Sequence, residues 1–67
     1  MQIIYNGQPR ELASTILTIS DLIKELGLRP QLVAVEVNGE LVPRAKHSTA
    51  AVVAGDRFEV VTLVGGG

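Results

Sequence analysis

Three glycines, Gly65, Gly66 and Gly67, follow an apolar run rich in β-favouring residues and end the sequence in a carboxylate. Glycine has no Cβ, so such a tail is slender and adopts backbone angles closed to other residues. Fully extended, three residues reach roughly 10 Å, a shape suited to a narrow passage into another protein's active site. A carboxylate is a poor electrophile. Chemistry at Gly67 therefore requires activation, as in an acyl-adenylate made from ATP. A frayed or appended terminus fits the same three residues, so the tail alone leaves both readings open.

Other chemistry finds little support. Ser14, Ser20, Ser48, Thr15 and Thr49 have no evident histidine-and-carboxylate partners of the kind that activate a hydroxyl. His47 is the only histidine; it lies between Lys46 and Ser48 in a polar stretch and is expected to be an exposed loop residue. Glu36 and Glu40 could approach one another around a turn at Asn38-Gly39. Paired-carboxylate catalysis needs a cleft, however, and so small a domain has little room for one. The absence of cysteine excludes disulfides, thiolate chemistry and a cysteine-ligated zinc site. The chain is expected not to be an enzyme by itself, and to hold no metal or bound cofactor.

The elements that would carry the tail can be read from hydrophobic patterning. Gln2 to Asn6 is a β-favouring run that meets Asn6-Gly7, the dipeptide preferred in a type I′ hairpin turn, and Gln8 to Ala13 returns as a second strand. Pro9 cannot donate to a ladder, which places that strand at a sheet edge. Ile19, Leu22, Ile23 and Leu26 form one apolar stripe, so residues 18–27 are predicted to be helical. Thr18 and Asp21 suit a capping box, Leu17 and Leu22 a hydrophobic staple, and Gly27 a left-handed stop before Pro30. Val33 to Val37 alternates as a half-buried strand, Asn38-Gly39 repeats the hairpin signal, and Leu41 with Val42 make a short return. Arg44 to Ala54 is weakly periodic and suits at most a short helical turn. Gly55-Asp56 turns into a last strand from Arg57 to Val64.

Strand, strand, helix, strand, short strand, strand implies an α+β fold: a mixed sheet of four to five strands with one helix packed on one face. This is the β-grasp, or ubiquitin-like, topology, with the last strand central beside the first. Residues 1–64 form the expected domain and residues 65–67 a flexible tail. In the last strand Phe58 and Val60 should face the helix and Glu59, Val61 and then Leu63 the open side. Ile4 and Ala34 should point the same way. Ile4, Ala34, Val61 and Leu63 thus form a candidate apolar docking patch for a partner.

Composition narrows the class further. Sixty-seven residues make one small domain, which buries only about 60% of its unfolded surface. With 46% apolar residues and Tyr5 and Phe58 as its only aromatics, the core must be built mostly of Val, Ile and Leu. Six Lys and Arg against seven Asp and Glu give a net charge of −1, with no basic run to bind nucleic acid. The longest apolar run, Ala50 to Ala54, is far short of the roughly 20 residues that span a bilayer. Gln2, Asn6 and Gly7 interrupt any signal-peptide pattern. The expectation is a cytoplasmic protein, monomeric when free, that binds neither nucleic acid nor membrane.

Val37-Asn38-Gly39-Glu40-Leu41-Val42-Pro43-Arg44, then Gly55-Asp56-Arg57-Phe58-Glu59-Val60, then Val64-Gly65-Gly66-Gly67 resemble the ThiS family, the sulfur carrier proteins of thiamine biosynthesis. Met1-Gln2-Ile3 and the helix from Thr18 to Leu26 extend the resemblance over the whole chain; Arg44 to Ala54 is the least similar part. The resemblance implies that a ThiF-type adenylyltransferase uses ATP to convert the Gly67 carboxylate to an acyl-adenylate. Sulfur from cysteine, supplied through a desulfurase, then displaces AMP to leave a thiocarboxylate. A ThiG-type thiazole synthase accepts that sulfur. Gly66 and Gly67 match the family's terminal pair, and Gly65 adds a third glycine. The competing readings are a sulfur carrier for molybdopterin synthesis, a ubiquitin-like protein modifier and a passive interaction module.

Overall fold

Both Asn-Gly dipeptides turn the chain back on itself with positive φ at each central position: 47° and 82° at Asn6 and Gly7, 52° and 88° at Asn38 and Gly39. These are the angles that let a two-residue turn match the twist of its strands. The computed structural model describes residues 1–63. In it the first turn joins β1 (Gln2–Tyr5) to β2 (Gln8–Glu11), and the second joins β3 (Val33–Val37) to β4 (Glu40–Val42). The last strand, β5 (Arg57–Thr62), pairs in parallel with β1 and antiparallel with β3, giving the order β2-β1-β5-β3-β4. Pro9 sits on the edge strand, opposite Ile4. β2 stops at Glu11 rather than Ala13; Leu12, just beyond it, is buried and donates its N–H to the Met1 carbonyl at 2.7 Å.

Helix α1 (Ile19–Glu25) packs on one face of this sheet, and its ends are closed by local hydrogen bonds. Thr18 Oγ1 accepts from the Asp21 N–H at 3.2 Å, and Asp21 Oδ2 accepts from the Thr18 and Leu17 N–H groups, each at 3.0 Å. Ile19 donates to the Ala50 carbonyl and Ser20 to that of His47. The first-turn donors of a helix have no partners within the helix; here each has one outside it. At the other end Gly27 (φ 72°) donates to Lys24 and Leu28 to Ile23, the paired bonds of a Schellman stop. The expected staple is weak on one side: Leu22 is fully buried but Leu17 stays 64% exposed.

Between helix and sheet lie Ile3, Leu12, Ile16, Ile19, Leu22, Ile23, Val33, Val35, Val52, Phe58 and Val60. Phe58 is completely buried, worth roughly 1.5–3 kcal/mol by area. The segment between β4 and β5 is better organised than its weak periodicity suggests. It forms a 3₁₀ turn over Arg44–Lys46, places Val52 in the core and bridges Thr18 through Ala51. Among the described residues no helix is long and apolar enough to cross a membrane.

Two effects of the helix cap are measurable. Thr18→Ala should cost about 1 kcal/mol and lower Tm by roughly 4–8 °C in thermal denaturation. Hydrogen bonds from Leu17 and then Thr18 hold the Asp21 carboxyl below its ordinary 3.8. In the acid range the unfolded chain therefore binds more protons than the folded one. The stabilisation is complete above that ordinary value and is lost as pH falls through the lowered one. Asp21→Asn should flatten that part of the stability–pH curve.

Candidate functional site

The strand that leads to the glycines lies in the middle of the sheet, and its two faces have different tasks. Phe58 and Val60 point into the core, while Arg57, Glu59 and Val61 point to the open side. Side chains from both Asn-Gly turns reach β5. Asn38 Oδ1 accepts from the Arg57 N–H at 2.9 Å, and its Nδ2 donates to Asp56 Oδ1 at 3.0 Å. Asn6 Oδ1 accepts from the Val60 N–H at 2.7 Å, and its Nδ2 donates to the Val60 carbonyl at 3.0 Å. Past the end of β5, the Leu63 N–H donates to the Leu32 carbonyl at 2.6 Å, fixing where the chain leaves the sheet.

The four residues of the expected docking patch fall into two places. Ala34 lies directly opposite Val61, and both precede Leu63 along the exit path; Val61 is 57% and Leu63 49% exposed. Ile4 is on the same face but in register with Arg57, four residues back along β5, or about 13 Å. Glu59, paired with Glu36, stands between. An open hollow of about 290 Å³ occupies that middle ground, lined by Ile4, Gly7, Glu36, Gly39, Arg57 and Glu59. Leu41, 66% exposed, is the cross-strand partner of Glu36. Gly65, Gly66 and Gly67, expected to react, lie outside the described residues, as does Val64.

Two side-chain expectations are corrected. Glu36 and Glu40 do not converge: Glu40 is opposite Val37 and Glu36 opposite Leu41, so the pleat sends the two carboxylates to opposite faces. His47 is not an exposed loop residue but is 4% exposed. The helix's need for external acceptors draws this segment in, since the His47 carbonyl receives the Ser20 N–H. The His47 ring donates from Nε2 to the Val42 carbonyl at 3.0 Å, and Nδ1 has no partner among the described residues. No group of three or more His, Cys, Asp or Glu among the described residues could hold a metal ion.

Residue patterning missed the side-chain role of the two asparagines, because Asn-Gly is already explained by the turn. The signal was the residue type, since an amide both donates and accepts where aspartate only accepts. It also missed the Glu36–Glu59 opposition, which depends on the register of strands distant in sequence.

A five-stranded mixed sheet with one packed helix and a central last strand defines a ubiquitin-like β-grasp protein. The comparisons with known proteins narrow this class. The model of the ThiS family matches residues 3–67. The crystal structure of the thiamine biosynthesis protein ThiS from Geobacter metallireducens is similar over the full length of both chains, with 30% identity and a TM-score of 0.85. The NMR solution structure of a thiamine biosynthesis protein from the same organism gives 0.82 at 30% identity, covering all of this chain and 88% of that one. Among curated proteins, the thiazole synthases of Paramagnetospirillum magneticum and Magnetococcus marinus are 39% and 37% identical over all 67 residues. The chain spans 20% of the length of each. It belongs to the ThiS family.

The opposed carboxylates give a direct test of the register on this face. Glu36→Lys replaces a like-charge pair with an opposite-charge one and should stabilise the fold by about 0.2–1 kcal/mol in denaturant titration. The gain should shrink at high salt.

Proposed function

We propose that this chain carries sulfur for formation of the thiazole ring of thiamine, with the carboxylate of Gly67 as the reacting group. The observation that carries the reading is the family match, which runs through residue 67 and so includes the terminal glycines. A partner adenylyltransferase of the ThiF type activates the chain: a Gly67 carboxylate oxygen attacks the α-phosphorus of ATP, and pyrophosphate leaves. The outer sulfur of a persulfide, drawn from cysteine by a desulfurase system, attacks the Gly67 carbonyl and displaces AMP, and a second thiol then reduces the resulting acyl disulfide, leaving a thiocarboxylate and a disulfide. A thiazole synthase of the ThiG type takes the sulfur. ATP is consumed by the activator and is not a resident cofactor of the carrier. The carrier acts in the cytoplasm, as a monomer when free.

Glycine at 65, 66 and 67 suits this role because no Cβ obstructs entry of the reacting carboxylate into a partner's active site. Activator and synthase both dock on the open sheet face, chiefly at Ala34, Val61 and Leu63 beside the exit of β5, with Ile4 at the farther edge. Their binding is then mutually exclusive.

Incubating the chain with ATP, activator and sulfur donor should replace one oxygen with sulfur in intact-mass analysis, and deleting Gly66 and Gly67 should abolish the change without altering the fold. Thiazole formation supported by the deleted chain would overturn the proposal. Val61→Asp should weaken binding of both partners by roughly 1–3 kcal/mol, measured by calorimetry, while barely affecting stability. Normal binding of that variant to both, or a ternary complex, would remove the shared docking surface.

A further inference from the structure

Backbone pairing between β1 and β5 ends early. Ile4 and Tyr5 register with Arg57 and Phe58, and the Asn6 N–H still donates to the Phe58 carbonyl at 2.8 Å. The chain then turns away at Gly7 into β2. Val60 is two residues farther along β5, and its N–H and carbonyl are both taken by the Asn6 side chain, at 2.7 and 3.0 Å. A primary amide offers a donor and an acceptor in the arrangement of a peptide group. Asn6 thus continues the β1 ladder with its side chain after its backbone has left, 54 positions away in sequence. Without it, a peptide group in the middle of the sheet would have no partner on that side.

We propose that Asn6 is a positioning residue for the reaction at Gly67: on the β1 side it holds β5 in line as far as Val60, while the β3 ladder and the Leu63–Leu32 bond hold the other side, so that the chain beyond leaves the sheet from a base held along both edges. This inference rests on the sulfur-carrier reading for its consequence but not for its geometry. The β3 ladder is separate, running from Val37↔Phe58 to Val33↔Thr62, and keeps Val61 opposite Ala34. Loss of the Asn6 contact therefore spares the docking face and acts on delivery of the terminus.

The turn itself does not demand asparagine, since Asp-Gly and Gly-Gly also suit type I′ geometry. That separates the two roles. Asn6→Asp retains the turn and the acceptor for the Val60 N–H, but sets a carboxylate oxygen against the Val60 carbonyl. Asn6→Gly retains the turn and removes both bonds. If asparagine serves only the turn, Asn6→Asp behaves as wild type.

The experiment measures amide hydrogen exchange at Val60 by NMR, and steady-state adenylation by a thiamine-pathway adenylyltransferase with the carrier as varied substrate. In Asn6→Gly Val60 protection should fall about tenfold relative to Val35, and in both variants kcat should fall by a similar factor with KM within about twofold of wild type, the effect of one net hydrogen bond. Wild-type protection at Val60 in Asn6→Gly would overturn the clamp. Lost protection with unchanged kcat, or a rise in KM alone, would overturn the positioning role. If the wild-type chain is not adenylated, the sulfur-carrier reading and the delivery role fail together, and the exchange data alone decide the clamp.

Discussion

The structure depends on how β5 is held. This strand has neighbours of opposite direction, parallel β1 and antiparallel β3, and it supplies Phe58 and Val60 to the core. A parallel pair cannot be closed by a hairpin; everything from β2 through α1, β3, β4 and the 44–54 segment lies between β1 and β5, so their contacts close late and over a large sequence separation. Two short side chains reinforce it. Asn38 fixes the start of β5 at Arg57, and Asn6 binds it at Val60 beyond the end of β1. Each side chain belongs to a hairpin turn, so the same dipeptide that folds its own strand pair also ties that pair to the central strand.

In the proposed carrier this arrangement separates a folded handle from the reacting end. The handle has no disulfide and a small core, and it uses every external acceptor it can. The 44–54 segment receives the Ile19 and Ser20 donors at the helix start through the Ala50 and His47 carbonyls, which buries His47 and positions Val52. On the other side of the sheet the open face is divided. Glu36, Glu59 and Arg57 surround a hollow between the two turns, whereas Ala34, Val61 and Leu63 make the part beside the exit apolar. In the proposed carrier the apolar end seats the partner, and charge at the other end limits how the face can be aligned.

Much of this was legible in the residues because the signals were local. The alternation of Val33, Val35 and Val37, the stripe of Ile19, Leu22, Ile23 and Leu26, both Asn-Gly turns and the capping box each lie within a few positions. They sufficed for the β-grasp order, with Pro9 placing β2 at the edge. What could not be read depends on register between distant segments. Ile4 belongs beside Arg57 and not beside Val61, Glu36 meets Glu59 and not Glu40, and His47 is drawn inward by a helix that begins 28 positions earlier. The glycines were singled out by chemical type alone; the family match adds that residue 67 lies within its bounds.

The central claim is that Gly67 carries sulfur and gives it up in thiazole formation. The most direct measurement is a single turnover with the chain preloaded as its Gly67 thiocarboxylate, labelled with a sulfur isotope and mixed with thiazole synthase and its other substrates. The account predicts that the label appears in the thiazole, one sulfur per chain, while the carrier returns to the mass of the free carboxylate. Unlabelled thiazole formed with the thiocarboxylate intact, or the chain recovered joined to lysines of other proteins, would contradict it.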